Sequence, residues 1–155
     1  MRTGRRLAID VGKVRIGVAA SDFHSILASG VATVQRGDDL ETAVSELVQL
    51  IVEIEPIEIY VGYPISLSGM GSSSASDAVV LASALSAKVT VPIRLIDERL
   101  TTVTAANALK ASGRDSKSGR KFIDQIAATV ILEQAMEMEK HSDSAPGIKI
   151  EEIDE

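Results

Sequence analysis

The chain has 155 residues, 45% of them hydrophobic, with a net charge of −6, no cysteine and two histidines. That length holds one domain with a substantial core, and the lack of cysteine excludes disulfides, thiolate zinc sites and cysteine nucleophiles. No apolar stretch approaches the roughly 20 residues of a membrane helix. The basic start Arg2-Thr3-Gly4-Arg5-Arg6 leads into an apolar run too short for a signal peptide, so a cytoplasmic protein is expected. The charge is uneven. From Glu139 onward six acids face two bases, a net −4, which leaves −2 on the rest. Within that remainder Lys110, Arg114, Lys117, Arg120 and Lys121 gather against the single acid Asp115, a basic stripe on a mildly acidic body.

In chain order, Leu7 to Asp10 and Arg15 to Ala20 read as strands, joined by a hairpin in which Gly12 supplies unusual backbone angles. Gly30 to Gln35 reads as a third strand. Asp38 or Asp39 can cap a helix whose apolar positions Leu40, Ala43, Val44, Leu47, Leu50, Ile51 and Ile54 keep helical spacing until Pro56. Ile57 to Val61 is a buried strand, followed by Gly62-Tyr63-Pro64 and a glycine- and serine-rich loop. Asp77 to Val89 suits a helix of small residues and Pro92 to Asp97 a last strand. Thr101 or Thr102 can cap a helix to about Ser112, Gly113 to Gly119 is a polar basic break, and a final helix covers about Lys121 to Lys140. Residues 1–140 are expected to form one domain and 141–155 a flexible acidic tail, in which Ile148 to Ile150 has the makings of a brief strand. The mixture of antiparallel and parallel connections specifies an α/β sheet.

Three carboxylates stand where apolar segments hand over to polar ones: Asp10, Glu98 and Asp124. Each also has a plain reading. Asp10 suits a turn at a strand end, Glu98 a solvated turn beside Arg99, and Asp124 the first turn of a helix. Alternation puts Asp97 and Glu98 on opposite sheet faces. Acids that converge in a partly dry site repel unless cations neutralise them, and hard ions such as Mg²⁺ or Mn²⁺ are the natural occupants. A phosphodiester is then the best-suited substrate. The basic stripe before Asp124 adds phosphate-binding character, whereas His24 and His141 are isolated and lack ligand spacing.

Ala8-Ile9-Asp10-Val11-Gly12-Lys13-Val14-Arg15-Ile16-Gly17-Val18-Ala19, Val61-Gly62-Tyr63-Pro64, Asp97-Glu98-Arg99-Leu100-Thr101-Thr102 and Asp124-Gln125-Ile126-Ala127-Ala128 together resemble the YqgF or RuvX family. This is the family of Holliday junction resolvases or pre-16S rRNA nucleases, and the resemblance spans about Leu7 to Met138. It implies a ribonuclease H-like fold: a five-stranded mixed sheet in the order 3-2-1-4-5 with helices on both faces. It implies that Asp10, Glu98 and Asp124 form an acidic triad that is both catalytic and metal-binding, with Arg15, Arg99, Thr101 and Thr102 around it. Arg114, Lys117, Arg120 and Lys121 join these as substrate-binding candidates. The activity implied is divalent-metal-dependent cleavage at the 5′ end of the 16S rRNA precursor, with branched-DNA resolution as the older alternative. One loop departs from the family, because Ser66, Ser68 and the serines between Ser72 and Ser76 replace much of its usual asparagine, acid and basic pattern.

Two other classes bear weighing. Asp10-Val11-Gly12 also resembles the first phosphate loop of the actin and sugar-kinase superfamily, but that site needs a second domain for which the chain has no room. A non-catalytic RNA- or ribosome-binding factor on the same fold is separated from a nuclease by metal-dependent cleavage.

Overall fold

The computed structural model describes residues 2–63, 73–97 and 116–152, with the backbone alone described at 73–75, 116–122 and 152. Strand β1 (Arg6–Val11) pairs antiparallel with β2 (Arg15–Ser21), which pairs antiparallel with β3 (Ala28–Gln35). Helix α1 (Leu40–Ile54) returns the chain to β4 (Glu58–Tyr63), parallel to β1. Helix α2 (Ser73–Ser86) precedes β5 (Ile93–Asp97), parallel to β4. Helix α3 (Ser116–Ser142) is followed by β6 (Ile148–Lys149), antiparallel to β5, and a single 3₁₀ turn (Ile150–Glu152). The sheet order is β3-β2-β1-β4-β5-β6, which keeps the expected order of five strands and adds a sixth. Among the described residues no helix is long and apolar enough to cross a membrane.

Period-two alternation divides the core. Leu7, Ile9, Ile16, Val18, Ile59, Val61, Ile93 and Leu95 lie on one face with Ala43, Leu47 and Ile51 of α1 and Leu81 and Leu85 of α2. Ala8, Ala19, Tyr60 and Ile96 lie on the other, against Ala128, Ile131, Leu132 and Ala135 of α3. Alanines on both sides of this second interface let α3 lie close to the sheet. Helix α1 ends where its sequence signals say: the Asp39 carboxylate accepts from the Glu41 amide at 3.1 Å, and Glu55 turns left-handed (φ 53°) before Pro56. Helix α2 starts and stops earlier than its apolar pattern implies, since Lys88 and Val89 already turn back onto the Leu85 carbonyl. Helix α3 opens at Ser116, so its backbone carries Lys117 to Gly119, which sequence assigns to a break. The helix expected from Thr101 or Thr102 to Ser112 lies outside the described residues.

Composition suggests a loose tail from residue 141, but Ile148–Lys149 docks on β5 and Ile150 is buried in the core on the α1 and α2 side. Arg94 of β5 is the cause. Its guanidinium donates from Nη2 to the Gly147 carbonyl at 2.8 Å and from Nε to the Pro146 carbonyl, ordering the chain beside the edge strand. Gly147 permits the turn, at φ 77° and with its Cα packed against the Leu95 carbonyl.

The basic start is likewise structural. Arg6 is fully buried and donates to Glu139 Oε2 at 2.8 Å, while Arg2 donates to Glu139 Oε1 at 2.5 Å and to Glu58 Oε1 at 2.7 Å. Tyr60 also donates to Glu58 Oε1, at 2.9 Å. This network ties α3 to β1 and β4, at the end of the sheet away from Asp10. Burial pushes the Glu139 carboxyl up, but hydrogen bonds from Arg2 and the charges of Arg6 and Arg2 outweigh it and hold it below the usual glutamate range.

Two predictions follow from this packing. Ile150→Ala should lower stability by about 2 kcal/mol in urea denaturation, and truncation after Lys140 by more; an unchanged urea midpoint would show that the docked segment contributes nothing. Because the Glu139 carboxyl is depressed in the folded state, its stabilisation is present above the unfolded value of about 4.3 and is lost as pH falls through the lower folded value. Glu139→Gln should therefore flatten the acid limb of the stability curve below about pH 4.3. At pH 7 it should cost about 3 kcal/mol, since Arg6 loses its buried counter-ion.

Candidate active site

The site grows from a glycine in the middle of a strand. Asp10 lies near the carboxyl end of β1 with its Cα paired to Gly17 of β2, on the sheet face that Ala8 presents to α3. Above Gly17 lies the backbone of Asp124: a Cβ added to Gly17 would overlap the Asp124 carbonyl oxygen and stand 3.0 Å from the Asp124 Cβ. Gly17 thus brings one carboxylate from the sheet and one from the helix to the same patch. Gly30 of β3 repeats the device, since a Cβ there would lie 2.7 Å from the Gln125 Cβ, and Gln125 Nε2 donates to Thr33 Oγ1 at 3.1 Å. A glycine inside a strand is the sequence signal for such an approach.

Arg15, at the start of β2, donates from Nε to Asp124 Oδ2 at 2.8 Å, with the Asp124 side chain largely enclosed and the Arg15 side chain 41% exposed. One oxygen of Asp124 is therefore committed to a guanidinium that fixes its orientation. Gly12 closes the β1–β2 hairpin, donating to the Arg15 carbonyl at 2.9 Å. Its φ is outside the left-handed region; glycine is required there because a Cβ would overlap the Arg15 carbonyl oxygen. Arg36, just past β3, braces the same hairpin. Its amide donates to Val14 O at 2.9 Å, and its guanidinium bridges Gly12 O at 3.0 Å to the Asp77 carboxylate of α2 at 3.2 Å. Hydrogen bonding from Arg36 holds the Asp77 carboxyl below the usual aspartate range. Neither Arg36 nor Asp77 stands out in the sequence, because the contact joins segments 41 residues apart.

Of the residues singled out from sequence, Asp10, Arg15 and Asp124 are brought together. Glu98, Arg99, Thr101, Thr102 and Arg114 lie outside the described residues, as does most of the loop from Ser66 to Ser76. Lys117, Arg120 and Lys121 fall in the opening turns of the α3 backbone, on the chain leading into Asp124. Among the described residues no group of three or more His, Asp or Glu side chains is placed to hold a metal ion. Asp10 near the carboxyl end of β1 and Asp124 on the helix above it are the described portion of the candidate site.

The sheet order, the antiparallel opening hairpins and the placement of α3 define a ribonuclease H-like α/β protein. Its backbone is similar to that of T. thermophilus RuvC, solved in complex with a Holliday junction substrate: TM-score 0.57 at 12% identity, covering 90% of this chain and 97% of that one. Residues 4–138 match the RuvX family, described as Holliday junction resolvase, and the chain belongs to that family. A protein of Streptomyces avermitilis is 50% identical over 154 residues, covering 99% of this chain and 98% of its own length. One from Leifsonia xyli subsp. xyli is 45% identical over 151 residues, covering 97% of each chain. Both relatives bear the name "Putative pre-16S rRNA nuclease".

Gly17→Ala should cost about 2 kcal/mol, because backbone on both sides must shift to admit the methyl group. It should also loosen the Arg15–Asp124 pair, read as broadening of the Arg15 Nε–Hε resonance. A stable variant with that resonance unmoved would contradict the close approach.

Proposed function

We propose that this protein is a divalent-metal-dependent endonuclease that cleaves phosphodiesters in precursor 16S rRNA at the 5′ end, with Asp10, Glu98 and Asp124 as the acidic triad. The observation that carries this reading is the meeting of Asp10 and Asp124 across Gly17, on the α3 face of the sheet. Glu98 immediately follows β5, and its sequence parity matches Arg94 and Ile96, the latter on that same face. The names of the relatives support the RNA substrate. The family description supports Holliday junction resolution as a second reading.

The donor set fits a hard divalent ion: carboxylate oxygens only, in a protein with no thiolate to attract softer metals. Asp10, Glu98 and Asp124 would hold Mg²⁺ or Mn²⁺, which when bound activates water and offsets charge on the scissile phosphate. Arg15 does two things for this centre. It offsets part of the repulsion between the clustered acids, and it fixes Asp124 Oδ2 so that the carboxylate does not rotate. Lys117, Arg120 and Lys121, on the helix leading to Asp124, are suited to phosphate contacts that position a strand without reading its sequence, with Arg114 just ahead of them. Arg99, Thr101 and Thr102 follow Glu98 directly and are assigned to substrate on the resemblance of their motif.

The decisive experiment compares cleavage of a precursor rRNA 5′ leader with that of a four-way DNA junction, using wild type and Asp10→Asn, Glu98→Gln and Asp124→Asn. Each variant should lose roughly two orders of magnitude in rate while remaining folded, and a chelator should stop the wild type until Mg²⁺ or Mn²⁺ is restored. Near-wild-type cleavage by all three variants, or cleavage indifferent to chelation, would overturn the assignment. Preferential cutting of the DNA junction would select the second reading.

A further inference from the structure

The tip of the β1–β2 hairpin is unusual in what it offers to solvent. Val14 is 63% exposed, and its flanking side chains are cationic and open: Lys13 is 65% exposed and Arg15 41%. The tip is also stiff, held by Gly12 N to Arg15 O, by the Arg36 amide to Val14 O and by the Arg36 guanidinium to Gly12 O. Lys13 pairs with the Asp77 carboxylate of α2 at 3.7 Å, and its side chain is 65% exposed. Arg15 points the other way, into Asp124. The sequence therefore places an apolar side chain on a braced projection between two cations, four residues from Asp10.

Other exposed apolar side chains do not share this setting. Phe23, Ile26 and Leu27 form a larger patch on the β2–β3 connection, but at the end of the sheet away from Asp10. A single exposed valine on a loop carries no meaning alone. What distinguishes Val14 is its place between two partly exposed cations on a braced turn close to the carboxylates, with the Lys13 side chain the more open of the two. Apolar side chains presented in this way act on nucleic acids as wedges against a base step, while neighbouring cations hold the backbone.

We infer that Lys13-Val14-Arg15 reads the boundary between paired and unpaired nucleic acid, with Val14 packing on the last base pair and Lys13 on a flanking phosphate. This rests on the nuclease reading above and narrows its substrate class to a strand leaving a duplex. Stiffness is essential to the role. A wedge that folds back on contact gives no discrimination, and Arg36 prevents that by tying both Gly12 and Val14 to the end of β3 and to α2.

The test measures binding in the presence of a chelator, so that it does not depend on cleavage. Two RNAs of equal length and charge are compared by fluorescence anisotropy, one a stem with a single-stranded tail and one unstructured, with 2-aminopurine at the terminal pair of the stem as a second readout. Wild type should prefer the tailed stem by roughly 5-fold and change the 2-aminopurine emission. Val14→Ser should bring that ratio toward one, Val14→Phe should retain it, and Lys13→Ala should weaken both RNAs alike and reduce the salt slope by about one. Equal affinity of wild type for the two RNAs, or an unchanged ratio in Val14→Ser, would overturn the inference. A protein that shows this preference yet cleaves neither precursor rRNA nor DNA junctions would refute the nuclease reading and leave the boundary recognition standing.

Discussion

The close passage of α3 over Gly17 is the constraint on which the rest of the site depends. Helix and strand approach until the backbone of Asp124 occupies the space of a missing side chain, and that fixes where the helical carboxylate lies relative to Asp10. Alanines at positions 8, 19, 128 and 135 extend the same close contact toward the other end of the helix. Small residues are a poor source of hydrophobic stabilisation, since each buries little area. Their value here is the short distance they allow, which lets acids from two layers of the fold share one patch.

The two ends of that interface are secured by different interactions. Near Asp10 the Arg15–Asp124 pair joins a partly exposed guanidinium to a largely enclosed carboxylate. At the far end Arg6 and Glu139 are almost wholly buried and paired, Arg2 donates to both Glu139 and Glu58, and Tyr60 donates to Glu58. A buried pair of this kind gives little net stability over an apolar substitute, but removing one partner is costly, so it fixes the register of α3 on the sheet. The β1–β2 hairpin is braced in turn by Arg36, which links it to α2 through Asp77.

Much of the fold was legible because local signals and burial agreed. The α1 span follows from seven apolar positions at helical spacing between an aspartate cap and a proline, and the structure gives Leu40–Ile54. Strands β1 and β2 appear within a residue or so of their apolar runs. The closing segment allows a brief strand at Ile148 to Ile150 without demanding it, and for an equally physical reason only the structure shows it docked. Its composition is polar and acidic, and the features that order it, the Arg94 guanidinium and a sheet edge, are more than 50 residues away. Likewise nothing near Arg2 and Arg6 in sequence announces their partners Glu58 and Glu139.

The sequence by itself determined the identity of the candidate chemistry: which acids close apolar segments, the lack of thiols, the motifs of the RuvX family and the alternation that assigns each strand residue to a face. These are properties of neighbouring residues and periods of two or 3.6, which the chain order carries directly. Tertiary structure alone decided that Asp10 and Asp124 meet, that Arg15 takes one oxygen of Asp124 and that Arg36 braces the hairpin beside them. The Arg36–Gly12 and Arg15–Asp124 contacts span 24 and 109 residues, and each depends on how closely two packed layers approach, a distance set by side-chain volumes on both surfaces at once.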